Sequence, residues 1–250
     1  MPNPTAAMLV IGDEILSGRT RDANMHHLAQ ELTKVGINLR EVRIVSDDRD
    51  AIVSALNDLR ASHDTVITSG GIGPTHDDIT VDAVAAALGR EVVIHPEARA
   101  ILERYYTDKP GGLTEDRLRM ARVPEGAELI PNRMSGAPGI RIGSVFLMAG
   151  VPHITAGMLD ALTGTLEGGA PLLSETMGCW TAESEVAGLL RKIEKAHEDC
   201  QIGSYPFFRE GKVGANFVIR STDAQALAAC AKDLRDSLSE AGHAPVAGGI

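Results

Sequence analysis

Along the first half of the chain the apolar positions alternate between two periods. Ala6–Ile11 is a short continuous apolar run that stops at Gly12, the pattern of a buried strand bounded by a turn. Met25, Leu28, Leu32 and Val35 then recur at three- and four-residue steps before Gly36, which predicts an amphipathic helix with a glycine stop. Leu39–Val45 reads as a strand, Ile52, Val53, Leu56 and Leu59 mark a helix, and Thr65–Thr68 is another strand. Ile79–Leu88 is an Ala- and Val-bearing helix stopped by Gly89. Strands alternating with helices predict parallel βαβ units, and so an α/β fold with a mostly parallel sheet.

Beyond Glu91–Ile94 the signal weakens. Helices are expected near Pro96–Tyr106 and Thr114–Ala121, separated by Lys109-Pro-Gly-Gly112, and Val145–Ala149 is a further buried strand ending at Gly150-Val-Pro152. A boundary is expected near Glu167–Pro171. After it the pattern runs helix (Ala182–Ala196), strand (Gly214–Arg220), helix (Ala224–Ala241), a small α+β unit. The division expected is therefore an α/β domain over residues 1–168 and a small domain over 172–250.

Composition supports this reading. Apolar residues make up 44% of the sequence but aromatics only 3%, so the core must be built from Ala, Val, Leu and Ile, as suits parallel strands covered by helices. A net charge of −10, from 34 acidic and 24 basic residues without a Lys/Arg cluster, argues against a nucleic-acid partner. Cys179, Cys200 and Cys230 are too widely spaced for a CxxC motif and are expected to be reduced thiols, in the core or at the surface. No apolar run of about 18 residues and no signal-like N-terminus is found, so a cytoplasmic protein without a membrane partner is expected.

The candidate chemistry begins at Ser69-Gly-Gly-Ile-Gly-Pro-Thr75, which directly follows a predicted strand and leads into a helix. Glycines let backbone N–H groups approach an anion, and the helix adds the positive end of its dipole. A tight structural turn is the competing reading. Placement at the carboxyl end of a strand, where open α/β sheets bind ligands, favours a phosphate cradle. Asp77 and Asp78 follow at once: they can cap the helix, or hold a divalent cation such as Mg²⁺, Mn²⁺ or Co²⁺ beside the phosphate. Gly12-Asp13-Glu14 should lie on the same sheet edge, which makes Asp13, Glu14 and Asp78 the candidate metal ligands. Asp22, Asn24, Asp47 and Asp48 stand where N-caps are expected. His26 and His27 lack the spacing of a helical zinc pair. His76 is either a ligand contact or a solvated loop residue. Ser135-Gly-Ala-Pro-Gly139 is a second Gly/Pro turn able to close over the ligand.

In order, Ile11-Gly-Asp-Glu-Ile-Leu-Ser-Gly18 with Asp22 and Asn24, Ser69–Thr80, Ser135–Gly139 and Gly150-Val-Pro152 resemble the molybdopterin-binding domain family, most closely the N-terminal part of CinA-like proteins. Ile202-Gly-Ser-Tyr-Pro206 and the strand through Arg220 are similar to the small domain that comes next in those proteins. The departures are Ala149 in place of a proline and His153-Ile154 in place of Glu-Met. The resemblance implies the three-layer α/β sandwich of MogA, MoeA and gephyrin, a homo-oligomer, and a phosphate site at Gly12, Ser69, Gly70, Gly71, Gly73, Pro74 and Thr75, with Ser135, Gly136, Pro138 and Gly139 from the second turn. It implies functional acids at Asp78 and Asp47, joined by Asp77 from its place in the loop. With the chain ending near Ile250, the amidase-like domain of full-length CinA is not expected, and that activity is not carried over. Two chemistries then compete: binding of molybdopterin or a nucleotide-type ligand, or metal-dependent hydrolysis of dinucleotides such as ADP-ribose or FAD. A non-catalytic regulatory or scaffolding module is the third alternative.

Overall fold

The computed structural model describes residues 3–250, apart from the side chain of Thr163. The chain divides into two compact units, Met1–Gly169 and Ala170–Ile250.

The first unit runs β1 (Thr5–Ile11), α1 (Asp13–Leu16), α2 (Asn24–Lys34), β2 (Asn38–Val45), α3 (Arg49–Ser62), β3 (Thr65–Ser69), α4 (Thr80–Leu88), β4 (Val92–Ile94), α5 (Pro96–Tyr106), α6 (Glu115–Leu118), β5 (Arg122–Pro124), β6 (Glu128–Ile130), β7 (Gly139–Ile142), β8 (Val145–Met148) and α7 (Pro152–Thr163). Its six-stranded sheet has the order β2-β1-β3-β8-β7-β6, while β4 and β5 pair separately. The first four strands in that order are parallel, and β7 alone runs antiparallel to its neighbours β8 and β6.

Strand β1 shows why the apolar run at its position is unbroken. Ala7, Leu9 and Ile11 enter a core with Ile52, Leu56 and Leu59 of α3 and Val81 and Val84 of α4. The alternate residues Ala6, Met8 and Val10 enter a second core with Leu28 and Leu32 of α2 and Met158, Leu159 and Leu162 of α7. Side chains alternate across a strand, so helices on both sheet faces demand apolar residues at every β1 position. Each fully buried aliphatic side chain contributes about 1.5–3 kcal/mol of transfer free energy, which fixes the three layers.

The sequence pattern stopped short of α7, because Pro152 after Gly150 reads as a break. Here proline occupies the first turn of the helix, where its missing N–H would be unpaired in any case. The helix expected over Thr114–Ala121 is instead the short α6 followed by a 3-10 turn, Arg119–Ala121.

The second unit comprises β9 (Leu173–Cys179), α8 (Glu183–Ala196), β10 (Gln201–Arg209), β11 (Lys212–Ser221), α9 (Ala224–Glu240) and β12 (Val246–Ala247), with an antiparallel sheet in the order β10-β11-β9-β12. Strands β9 and β10 had no clear pattern. Pro206 interrupts β10, but β10 is an edge strand, where the missing donor is tolerated. All three cysteines are buried in this unit, which decides between the core and surface placements. None of the described helices is long and apolar enough to cross a membrane.

One polar residue ties the sheet to a helix. Asn24, only 4% exposed, donates from Nδ2 to Ser69 Oγ (2.7 Å) and to the Gly150 carbonyl (2.8 Å). It is therefore a buried clamp and not the cap that its place before the helix suggested; Asp22 accepts the Met25 N–H at 2.9 Å instead.

Two outcomes are expected. Asn24→Ala removes both bonds and strands the buried Ser69 hydroxyl, and should cost about 1–3 kcal/mol in urea unfolding; an unchanged midpoint would show that the clamp carries no stability. Burial pushes the Cys179 thiol up and, together with its neighbour Cys200, the Cys230 thiol up to about 12. Because the thiolate is the nucleophile, Cys230 should resist Ellman's reagent at pH 8 in the native protein and react once the chain is unfolded.

Candidate functional site

Three strand ends and one loop build a cleft of about 750 Å³ at the carboxyl edge of the parallel sheet. Ile11 and Gly12 leave β1, the loop Gly70–Pro74 leaves β3, and Ala149, Gly150 and Val151 leave β8. The backbones approach so closely that side chains are excluded. A Cβ on Gly70 (φ 105°) would lie 2.2 Å from the Ile11 carbonyl oxygen, and one on Gly150 would lie 3.3 Å from the Gly70 Cα. Gly70 is therefore required by contact as well as by conformation, whereas Gly150 marks only a tight approach.

Thr80, fully buried at the start of α4, fastens the loop to its helix. Its hydroxyl donates to the Gly70 carbonyl at 2.9 Å and its N–H to the Gly71 carbonyl at 3.0 Å. A Cβ on Gly71 (φ 68°) would meet the Thr80 hydroxyl at 2.1 Å, so substitution there breaks this fastening along with any ligand contact. Asp78 closes the other end of the loop: Oδ2 accepts the Thr75 N–H at 2.7 Å and the Thr75 hydroxyl at 2.5 Å. Residue Ile79 caps α4 without a side-chain bond, so neither Asp77 nor Asp78 serves as the helix cap. Arg119 reaches the Asp78 carbonyl from Nη2 at 3.5 Å.

With these braces in place, the N–H groups of Gly71, Ile72 and Gly73 have no protein acceptor among the described residues. Three successive free amides point this stretch toward an anion or water.

The acids divide by task. Asp48 caps α3 by accepting the Ala51 N–H at 2.8 Å, whereas Asp47 accepts the Asp13 N–H at 2.9 Å at the start of α1. Glu14, Asp47, Asp77 and Asp78 line the cleft, and Asp13 does not. The nearby Thr75 hydroxyl, although its hydrogen bond goes to Asp78, and the residue's own backbone N–H turn their positive ends toward Asp77 and hold it below the usual carboxylate range. Among the described residues no three His, Cys, Asp or Glu side chains converge as a metal-binding group. The acids present fit a divalent ion only in the manner of Mg²⁺, with one or two carboxylates and the rest of the shell from water or a ligand's phosphate.

Of the residues expected at a phosphate, Gly12, Gly70, Gly71, Gly73, Pro74 and Ser135 line the cleft. Ser69 is buried behind it, bonded to Asn24, and Thr75 is turned to Asp78. Gly136 packs on the ring of Tyr105, and Pro138 and Gly139 are buried at the start of β7. His76 is exposed in the loop and is not a lining residue. Sequence reasoning missed one wall altogether: Tyr105, Tyr106 and Lys109, at and just beyond the end of α5, with Met120. An adjacent tyrosine pair in a chain with so few aromatics was the available signal.

Comparison with known proteins places this architecture. Residues 171–246 match the model of the FAD synthase middle domain. A CinA-like protein of Citrifermentans bemidjiense is 37% identical over 93% of this chain and 58% of its own length. A probable FAD synthase of Caenorhabditis elegans is 34% identical over 96% of this chain and 50% of its own. The chain thus spans about half the length of these curated relatives. The crystal structure of the protein CinA from Thermoplasma acidophilum superimposes with a TM-score of 0.61 at 34% identity, covering 65% of this chain and 97% of that one. Over residues 7–168, which include the whole cleft, the sequence matches the model of the probable molybdopterin binding domain, and the chain belongs to that family as a CinA-like member.

Proposed function

We propose that the first unit binds a phosphorylated pterin or nucleotide-type ligand, with the phosphate on the N–H groups of Gly71, Ile72 and Gly73. The observation that carries this reading is the row of amides without a protein acceptor in a stretch, Gly71–Gly73, that lines a cleft of about 750 Å³. That volume lies within the range of about 300–1,000 Å³ usual for small-molecule sites. Thr80 and Asp78 hold the loop before any ligand arrives, so little ordering cost falls on binding. The family's description supports a pterin, and the similarity to FAD synthases supports a nucleotide.

Four carboxylates lining the same cleft favour a second reading, metal-dependent hydrolysis of a dinucleotide pyrophosphate such as ADP-ribose or FAD. A divalent ion bound there with the ligand would supply charge neutralisation and Lewis acidity. In that reading Asp77 and Asp78 would hold the ion, and Asp47 would keep Asp13 and the α1 turn in place.

The two readings predict opposite effects of Asp77→Asn. For a binding protein, calorimetry with AMP in EDTA should show an affinity that rises about twofold when one screened carboxylate beside the phosphate is removed. For a hydrolase, AMP release from ADP-ribose with Mg²⁺, Mn²⁺ or Co²⁺ should fall about tenfold or more in the same variant. No binding of AMP or inorganic phosphate at millimolar concentration would overturn the phosphate site itself.

A further inference from the structure

An imbalance of charge in the cleft identifies a further residue. Its lining holds Glu14, Asp47, Asp77 and Asp78, against a single basic side chain among the described residues, Lys109. An ammonium lining the same cleft as four carboxylates has an ion pair as its ordinary alternative. Lys109 does not take it: no carboxylate among the described residues forms an ion pair with it, and its Nζ sits 3.2 Å from the ring centroid of Tyr105 and 5.4 Å from that of Tyr106.

That perch is built. The Tyr105 ring lies against Gly136, where a Cβ would fall 2.4 Å from it, so the second Gly/Pro turn backs the ring. The turn that carries Lys109 uses Gly111 (φ 80°) and Gly112 (φ 58°). Arg117 then fastens it, donating from Nη1 to the Pro110 carbonyl at 3.0 Å and to the Gly112 carbonyl. The Arg117 guanidinium in turn stacks 4.4 Å from the ring centroid of Tyr106. An aromatic face holds a cation without neutralising it, so the ammonium keeps its full charge for an incoming anion.

Resting on the proposed phosphate reading, we infer that Lys109 is a specificity-determining residue that takes the second phosphoryl group of a diphosphate-bearing ligand. The loop amides satisfy one phosphoryl group. A second, covalently linked group gains a charge-assisted hydrogen bond from Lys109 and offsets the surrounding carboxylates, whereas a monophosphate ligand leaves the ammonium unused. Tyr105 is the positioning residue that holds the ammonium at the cleft.

The test is calorimetric titration of the whole chain with inorganic phosphate and with pyrophosphate, in EDTA, for the wild type, Lys109→Gln, Lys109→Arg and Tyr105→Leu. The wild type should prefer pyrophosphate by about tenfold or more, the size of one charge-assisted hydrogen bond. Lys109→Gln should bring the two affinities within about threefold of each other, and Lys109→Arg should retain most of the preference. Tyr105→Leu, with the charge kept but its perch removed, should fall between them. Wild-type binding of phosphate without a preference for pyrophosphate, or a preference that survives in Lys109→Gln, overturns the role of Lys109 alone. Failure of the wild type to bind either ion overturns the phosphate site and this inference with it.

Discussion

Where the parallel strands end, the backbones leaving β1, β3 and β8 come into direct contact: Gly70 packs on the carbonyl of Ile11 and Gly150 packs on Gly70. Strand spacing is set by the hydrogen-bond ladder, so the loops leaving neighbouring strands must share a narrow space. At Gly70 only a residue without a side chain lets them do so. The remaining site geometry depends on this contact. The loop after β3 is turned through two successive positive-φ glycines, its carbonyls face Thr80, and its next amides are left free.

Polar residues then decide that this close-packed edge has one conformation. Asn24 is buried and bridges the end of β3 to the chain leaving β8, and Asp78 and Thr80 clamp the two ends of the loop. Such bonds add modest net stability, but an unmet buried partner is costly, so they select one arrangement strongly. The same logic assigns the acids. Asp48 serves a helix end and Asp47 the α1 turn, leaving Asp77 and Glu14 as carboxylates at the cleft without a side-chain hydrogen bond to a neighbouring element among the described residues.

In the proposed reading, an anion held at the loop among these acids meets a discriminating environment. Monovalent anions gain little there, because the amides attract them while the carboxylates repel them. A ligand bound as proposed must bring its own compensation, either a cation or enough phosphoryl oxygens to engage Lys109, the one basic side chain lining the cleft among the described residues. The aromatic pair that holds that side chain gives the cleft an apolar flank as well, which under the proposed reading would take the ring of a pterin or a base.

Periodicity alone determined the βαβ alternation of the first unit, the identity of β1 as a strand buried on both faces, and the position of the Gly-rich loop at a strand end. These are local properties: side-chain spacing repeats within a single element, and a glycine run marks a turn wherever it falls. Helix α7 escaped because a proline such as Pro152 can end one element or begin another, and packing of the next residues against the sheet decides which. Strands β9 and β10 escaped because glycine, proline and glutamate obscure their alternation. Asn24, Thr80 and the Tyr105–Lys109 wall were beyond reach for a different reason. Asn24 finds its partner 45 residues away and Thr80 10, and Tyr105, which holds Lys109, is backed by Gly136 more than 30 residues on. Which polar side chain caps a helix, which clamps a loop and which faces a ligand is settled by distances that only the folded backbone sets.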